Sequence, residues 1–122
     1  MTDVHFPIAT RVDASGSRDC RVSARRRGTS LVVSVVGELD LHALAAFDER
    51  VRGLADPEAD GLDGLLLDLR DVTFLDSSGL RAVLSARLRA MDAGKAFAIG
   101  PASSTVQRVI ALAGLDELLP TG

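Results

Sequence analysis

Leu65-Leu66-Leu67-Asp68-Leu69, then Asp76-Ser77-Ser78-Gly79, then the run from Leu80 to Met91 decide how this chain folds. The first stretch is almost wholly apolar and of strand length, which suits a strand inside a parallel sheet. The last carries Leu80, Val83, Leu84, Leu88 and Met91 at helical spacing, with Arg81, Arg87 and Arg89 at the more exposed positions. Small polar residues and a glycine between them mark a tight joint from strand to helix. Either Asp76 or one of the two serines caps that helix. Gly94 in Asp92-Ala93-Gly94-Lys95 is placed to end it as a left-handed residue.

Upstream, Leu-Val-Val-Ser-Val-Val from Leu31 to Val36 is β-branched and nearly continuously apolar, so a second strand covered on both faces is expected. Gly37-Glu38-Leu39-Asp40 is expected to break it. Leu41, Leu44, Ala45, Phe47 and Val51 then recur at roughly helical spacing, ending near Gly53, and Asp56 to Gly61 reads as an acidic surface loop. Downstream, Ala96 to Ile99 is a short core strand. Ser103 or Ser104 caps a last helix carrying Val106, Val109, Ile110 and Ala113, which Gly114 ends. Cys20 to Arg27 reads as an initial strand paired by a hairpin to Leu31–Val36. Arg25-Arg26-Arg27 precedes the turn-like Gly28-Thr29-Ser30 and reads as a solvated hairpin end, not a nucleic-acid tract. Strands alternating with helices predict an α/β domain over residues 20–122, with a mixed sheet, right-handed crossovers and helices packed on it. Residues 1–19 read as a flexible N-terminal arm that adds at most an edge strand.

The 122 residues make one domain, and 47% hydrophobic content is enough for a real core. Aromatics are 3% with no Trp or Tyr, and the formal charge is -3, so neither stacking platforms nor a basic footprint for nucleic acid is present. Cys20 stands alone, which removes intramolecular disulfides and cysteine-based zinc clusters. No apolar run approaches the ~20 residues of a membrane span, and the N-terminus lacks the pattern of a signal peptide. A soluble cytoplasmic protein is expected.

Hydroxyls at Ser77 or Ser78 on an exposed joint can meet another protein and carry a phosphate, which points to a phospho-switched binding protein. A serine nucleophile is disfavoured. The turn lacks the Gly-x-Ser-x-Gly elbow, His5 lies in the arm, and His42 reads as an exposed surface residue. Glu38 and Asp40 form a carboxylate pair without further ligands nearby, so a helix-capping loop is the expected reading over a metal or acid–base site. Both project from a sheet end and share a surface with Asp76.

These residues resemble the bacterial anti-sigma-factor antagonists of the STAS (sulfate transporter and anti-sigma antagonist) domain family. The likeness is carried by Val36-Gly37-Glu38-Leu39-Asp40, Leu67-Asp68-Leu69, Val72-Thr73-Phe74-Leu75-Asp76-Ser77-Ser78-Gly79-Leu80 and the segment from Pro101 through Val106-Gln107-Arg108-Val109 to Ala113-Gly114-Leu115. In order and spacing these pieces cover most of the chain. The resemblance implies a STAS-type mixed sheet of four to five strands with helices mainly on one side. It implies a non-enzyme, with no cofactor or metal, that binds an anti-sigma factor, usually a serine kinase, and so releases a sigma factor.

By the same resemblance the kinase phosphorylates Ser77, with Ser78 the secondary candidate, the modified antagonist lets go, and a phosphatase resets it. Asp40, Asp76, Ser77, Ser78, Gly79 and Arg81 are the implied partner-binding residues. Direct nucleic-acid contact and membrane insertion are not expected. The alternative is a STAS subunit that docks on a membrane lipid or anion transport machine without a phospho-switch; the serine after Asp76 favours the first reading. Relatives continue into a further C-terminal helix, expected here to be missing or replaced by the arm.

Overall fold

A computed structural model describes residues 20–55 and 61–119. Strand β1 (Cys20–Arg27) turns at Gly28, whose φ is 62°, into β2 (Ser30–Leu39), and the two pair antiparallel. A 3₁₀ turn (Leu41–Ala43) leads into α1 (Leu44–Val51), followed by β3 (Gly64–Leu75) and α2 (Ser77–Asp92). Strand β4 (Ala96–Ala102) and α3 (Ser104–Leu112) come next, with a closing 3₁₀ turn at Asp116–Leu118. The sheet order is β1-β2-β3-β4, with β2–β3 and β3–β4 parallel. It is the mixed α/β sheet read from the sequence, at four strands. The expectations for the N-terminal arm and for most of the acidic loop fall on residues 1–19 and 56–60, outside the described residues.

Both parallel crossovers step across the sheet in the same direction, so right-handed connections put α1 and α2 on one face, where they pack together. Strand alternation supplies the floor of the core: Val22 and Ala24, Leu31, Val33 and Val35, Leu65, Leu67 and Leu69, and Ile99. Phe47 and Val51 from α1, Val83, Ala86 and Ala90 from α2, and Val106 and Ile110 from α3 close over it. Arg21, Ser23 and Arg25 alternate to the opposite face. No helix among the described residues is long and apolar enough to cross a membrane.

Three elements differ from the sequence reading. Gly37-Glu38 does not end β2: Gly37 takes φ 109°, the register shifts there, and the strand resumes to Leu39 as a bulged strand. Strand β3 likewise runs past Leu69 to Leu75, because pairing with β2 resumes at Asp71, Val72, Phe74 and Leu75, where the sequence has no continuous apolar run to show it. On α2 the buried face is Val83, Ala86 and Ala90, whereas Leu88 and Met91 are each 57% exposed. Two alanines let the helix lie close to the sheet, which turns the larger apolar side chains outward. Val32 is buried as expected for a doubly covered strand, but Val36 is exposed.

Candidate functional site

Strands β2 and β3 end level with each other, Leu39 opposite Leu75. The next residues, Asp40 and Asp76, therefore leave adjacent strands side by side, Asp40 capping the 3₁₀ turn and Asp76 capping α2. Asp40 Oδ1 accepts the His42 N–H at 2.9 Å, and Asp76 Oδ1 accepts the Gly79 N–H at 2.9 Å. The cap that the sequence left open thus falls to Asp76, and α2 starts with Ser77. Asp76 supplies the side-chain cap of α2, leaving the Ser77 hydroxyl outside that role.

Ser77 is exposed, whereas Ser78 is half-buried and lines a groove of about 390 Å³ between α1 and α2 beside Leu44, Phe47, Asp48 and Arg81. Gly79 is buried. A Cβ there would fall onto the carbonyl oxygen of Leu39 and lie 2.6 Å from Leu75 Cδ1. Only glycine lets the first turn of α2 press against the ends of β2 and β3.

Six residues were expected to contact a partner, and they occupy three depths. Ser77 and Arg81 are exposed, Asp76 and Ser78 are half-buried, and Asp40 (6% exposed) and Gly79 lie beneath the surface. Asp40 and Gly79 thus lie beneath the turn that presents the other four. Asp40 is occupied as a cap, which agrees with the capping-loop reading of the Glu38–Asp40 pair. Among the described residues no group of three or more His, Cys, Asp or Glu is arranged to hold a metal. His42 is exposed, as expected.

Two exposed apolar side chains close in sequence to the capping aspartates were missed. Leu41, next to Asp40, is 63% exposed, and Phe74, just before Leu75-Asp76, is 45% exposed. In sequence both pass for core residues. Their one signal is adjacency to the two capping aspartates, where strands end and side chains must clear the sheet. Exposed apolar residues beside a polar turn are the composition of a protein-docking patch.

The electrostatics of this end are mixed. The N-terminus of α2 directs unsatisfied backbone N–H groups and the positive end of its dipole toward Ser77, which favours an anion there. Asp40 and Glu38 oppose it nearby. Their field reaches Cys20 at the start of β1, opposite Gly37. Burial first, then these two carboxylates, pushes the Cys20 thiol up to about 11.

A family model described as "Mlab, STAS domain" matches residues 22–120. The chain belongs to the STAS domain family. This STAS domain is 35% identical over 86 residues to the anti-sigma-F factor antagonist RsfB of Mycobacterium tuberculosis (strain ATCC 25618 / H37Rv), spanning 70% of this chain and 67% of that protein. The crystal structure of an anti-sigma factor antagonist from Mycobacterium paratuberculosis matches it at 26% identity and TM-score 0.69, over 84% of each chain. The anti-sigma factor antagonist SpoIIAA, in its unphosphorylated form, matches at TM-score 0.66 over 83% of this chain and 87% of that one; at 22% identity this is a likeness of fold.

Proposed function

We propose that this STAS domain is a cytoplasmic anti-sigma-factor antagonist that binds an anti-sigma factor of the serine-kinase type and is released by phosphorylation of Ser77. One observation carries the reading. Ser77 stands exposed at the head of α2 while Asp76 does the capping, and the exposed Leu41 and Phe74 lie within two residues of the capping Asp40 and Asp76 in the sequence. Two relatives named as anti-sigma factor antagonists, at 35% and 26% identity, support it.

Unmodified, the turn and its two apolar neighbours form a surface that a partner can cover. A phosphate on Ser77 adds about -1.5 to -2 charges beside a helix N-terminus, where the fold tolerates it. A partner covering Leu41 and Phe74 would have to bury that charge, at a cost of roughly 3–5 kcal/mol, a few-hundred- to few-thousand-fold in affinity. The free anti-sigma factor then returns to its sigma factor until a phosphatase restores Ser77. Ser78 is a poorer acceptor because it faces the α1–α2 groove. Docking on a transport machine without a switch is the alternative, and nothing in this surface favours it.

The test is incubation with the cognate kinase and ATP, followed by mass spectrometry and titration. One phosphate on Ser77 is expected, and none on that site in Ser77→Ala. Ser77→Ala should bind like the unmodified protein, and Ser77→Asp at least about tenfold more weakly. Equal affinities of the two variants, or phosphate on Ser78 alone, overturn the assignment.

A further inference from the structure

The sheet has two edges, and they are built differently. Among the described residues neither β1 nor β4 has a second neighbour. Strand β1 carries Arg21, Arg25 and Arg27 on one face, a row of like charges that repels another copy of itself. Strand β4 reads Ala-Phe-Ala-Ile-Gly-Pro-Ala, without a charge from Ala96 to Ala102. An uncharged edge of this length is a template for a further strand.

The backbone selects one way of pairing. The Ala96 N–H bonds the Asp63 carbonyl at 2.9 Å, and strand alternation then turns the N–H and C=O groups of Phe97 and Ile99 away from β3. Pro101 has no N–H to give, and the Lys95 N–H is already held by the Ala90 carbonyl. Two copies of β4 laid antiparallel about a two-fold axis at Ala98 set Phe97 opposite Ile99 on both sides. The outward groups of these residues make about four N–H···O bonds, and Pro101 stays outside the bonded set. The small side chains of Ala96, Ala98 and Gly100 meet on one face. Phe97 and Ile99 meet on the other, in line with the core.

Beside this edge α2 exposes Leu88 and Met91, the two large apolar side chains its core face leaves out. A groove of about 620 Å³ lies between α2 and the closing 3₁₀ turn, and its lining includes Arg87, Met91, Lys95 and Glu117. A two-fold interface must be complementary to itself, and a patch holding both signs of charge meets that condition: Arg87 of one copy faces Glu117 of the other. Leu88 and Met91 sit ~16–21 Å along α2 from Ser77, so the two surfaces do not compete.

We propose that this STAS domain self-associates through β4, forming a two-fold dimer with a continuous eight-stranded sheet and the outer face of α2 at its seam. The test is sedimentation velocity of the full chain across a concentration series, read with hydrogen exchange at Phe97 and Ile99. A monomer–dimer equilibrium is expected, with protection of those two amides rising with concentration. Ala98→Lys, which puts two like charges at the axis on an exposed position, should weaken association about tenfold or more while leaving circular dichroism unchanged.

Glu117→Lys should do the same, and mixing it with Arg87→Glu should restore a heterodimer. A monomer at every concentration overturns the proposal, as does a dimer that ignores both Ala98→Lys and Glu117→Lys. Concentration-independent protection of Phe97 and Ile99 in a monomer also overturns it, in favour of cover by another segment of the same chain.

Discussion

Gly79 sets its Cα against the carbonyl oxygen of Leu39, so the head of α2 is seated on the end of β2 and not only on β3, from which it emerges. This contact puts Ser77 on the same shelf as Asp40 and Leu41. Gly79→Ala separates tertiary from local effects. Local propensity alone predicts that alanine stabilises a helix by ~1 kcal/mol over glycine. Overlap with Leu39 O and Leu75 predicts the reverse, a net loss of about 1–3 kcal/mol. Urea unfolding decides, and a stabilised variant would show that the close approach is absent.

Asp76→Ala removes the one side-chain cap of α2 and should cost ~1 kcal/mol, within a range of about 0.5–2. Asp76→Asn keeps an oxygen acceptor in place and should retain most of that stability. Equal losses in the two variants, measured by thermal unfolding, would mean that the carboxylate contributes something other than the cap.

Leu41→Ala and Phe74→Ala test whether exposed apolar residues carry binding. Each should change stability by no more than about 1 kcal/mol, because Leu41 is 63% and Phe74 45% exposed. Each should weaken partner binding about tenfold or more if it anchors the interface. Losses of stability in the ~3–5 kcal/mol range typical of buried leucine or phenylalanine would place them in the core instead.

Cys20 gives a pH dependence of known sign. Its thiol titrates at 9.0 in the unfolded chain and at about 11 in the fold, because burial, then Asp40 and Glu38, disfavour the thiolate. Below pH 9 the contribution is fully present. Between pH 9 and 11 the unfolded state loses the proton first, so stability falls, on the order of 2–3 kcal/mol in all. Unfolding free energies of the parent and Cys20→Ala should therefore converge over that window. Parallel curves would show that the thiol is not perturbed. The same burial predicts slow reaction with thiol reagents at neutral pH.

Much of the architecture is readable from residues because it rests on short-range physics. The run Leu65–Leu69, the helical spacing after Gly79, Gly94 and Gly114 beyond helix ends, and the Ser103 cap all act within a few positions, and each stands where its chemistry demands. The limits of β2 and β3 were not readable that way. Gly37-Glu38 and the stretch holding Asp71, Val72 and Phe74 are strand because a neighbour pairs with them, and no local pattern records a neighbour.

The outward turn of Leu88 and Met91 has the same origin. A stripe of leucines announces a helix face, but which face meets the sheet depends on how near the helix can come, and Ala86 with Ala90 settles that. The chain alone determined the order of elements, the strand-to-helix joint and the presence of a serine beside an aspartate. Folding decided that Asp76, and not a serine, closes α2, that Asp40 and Gly79 sink below the surface, and that Leu41 and Phe74 rise above it. These depend on strands meeting level at Leu39 and Leu75, a long-range pairing whose free energy comes from burial and backbone bonds between segments far apart in the sequence.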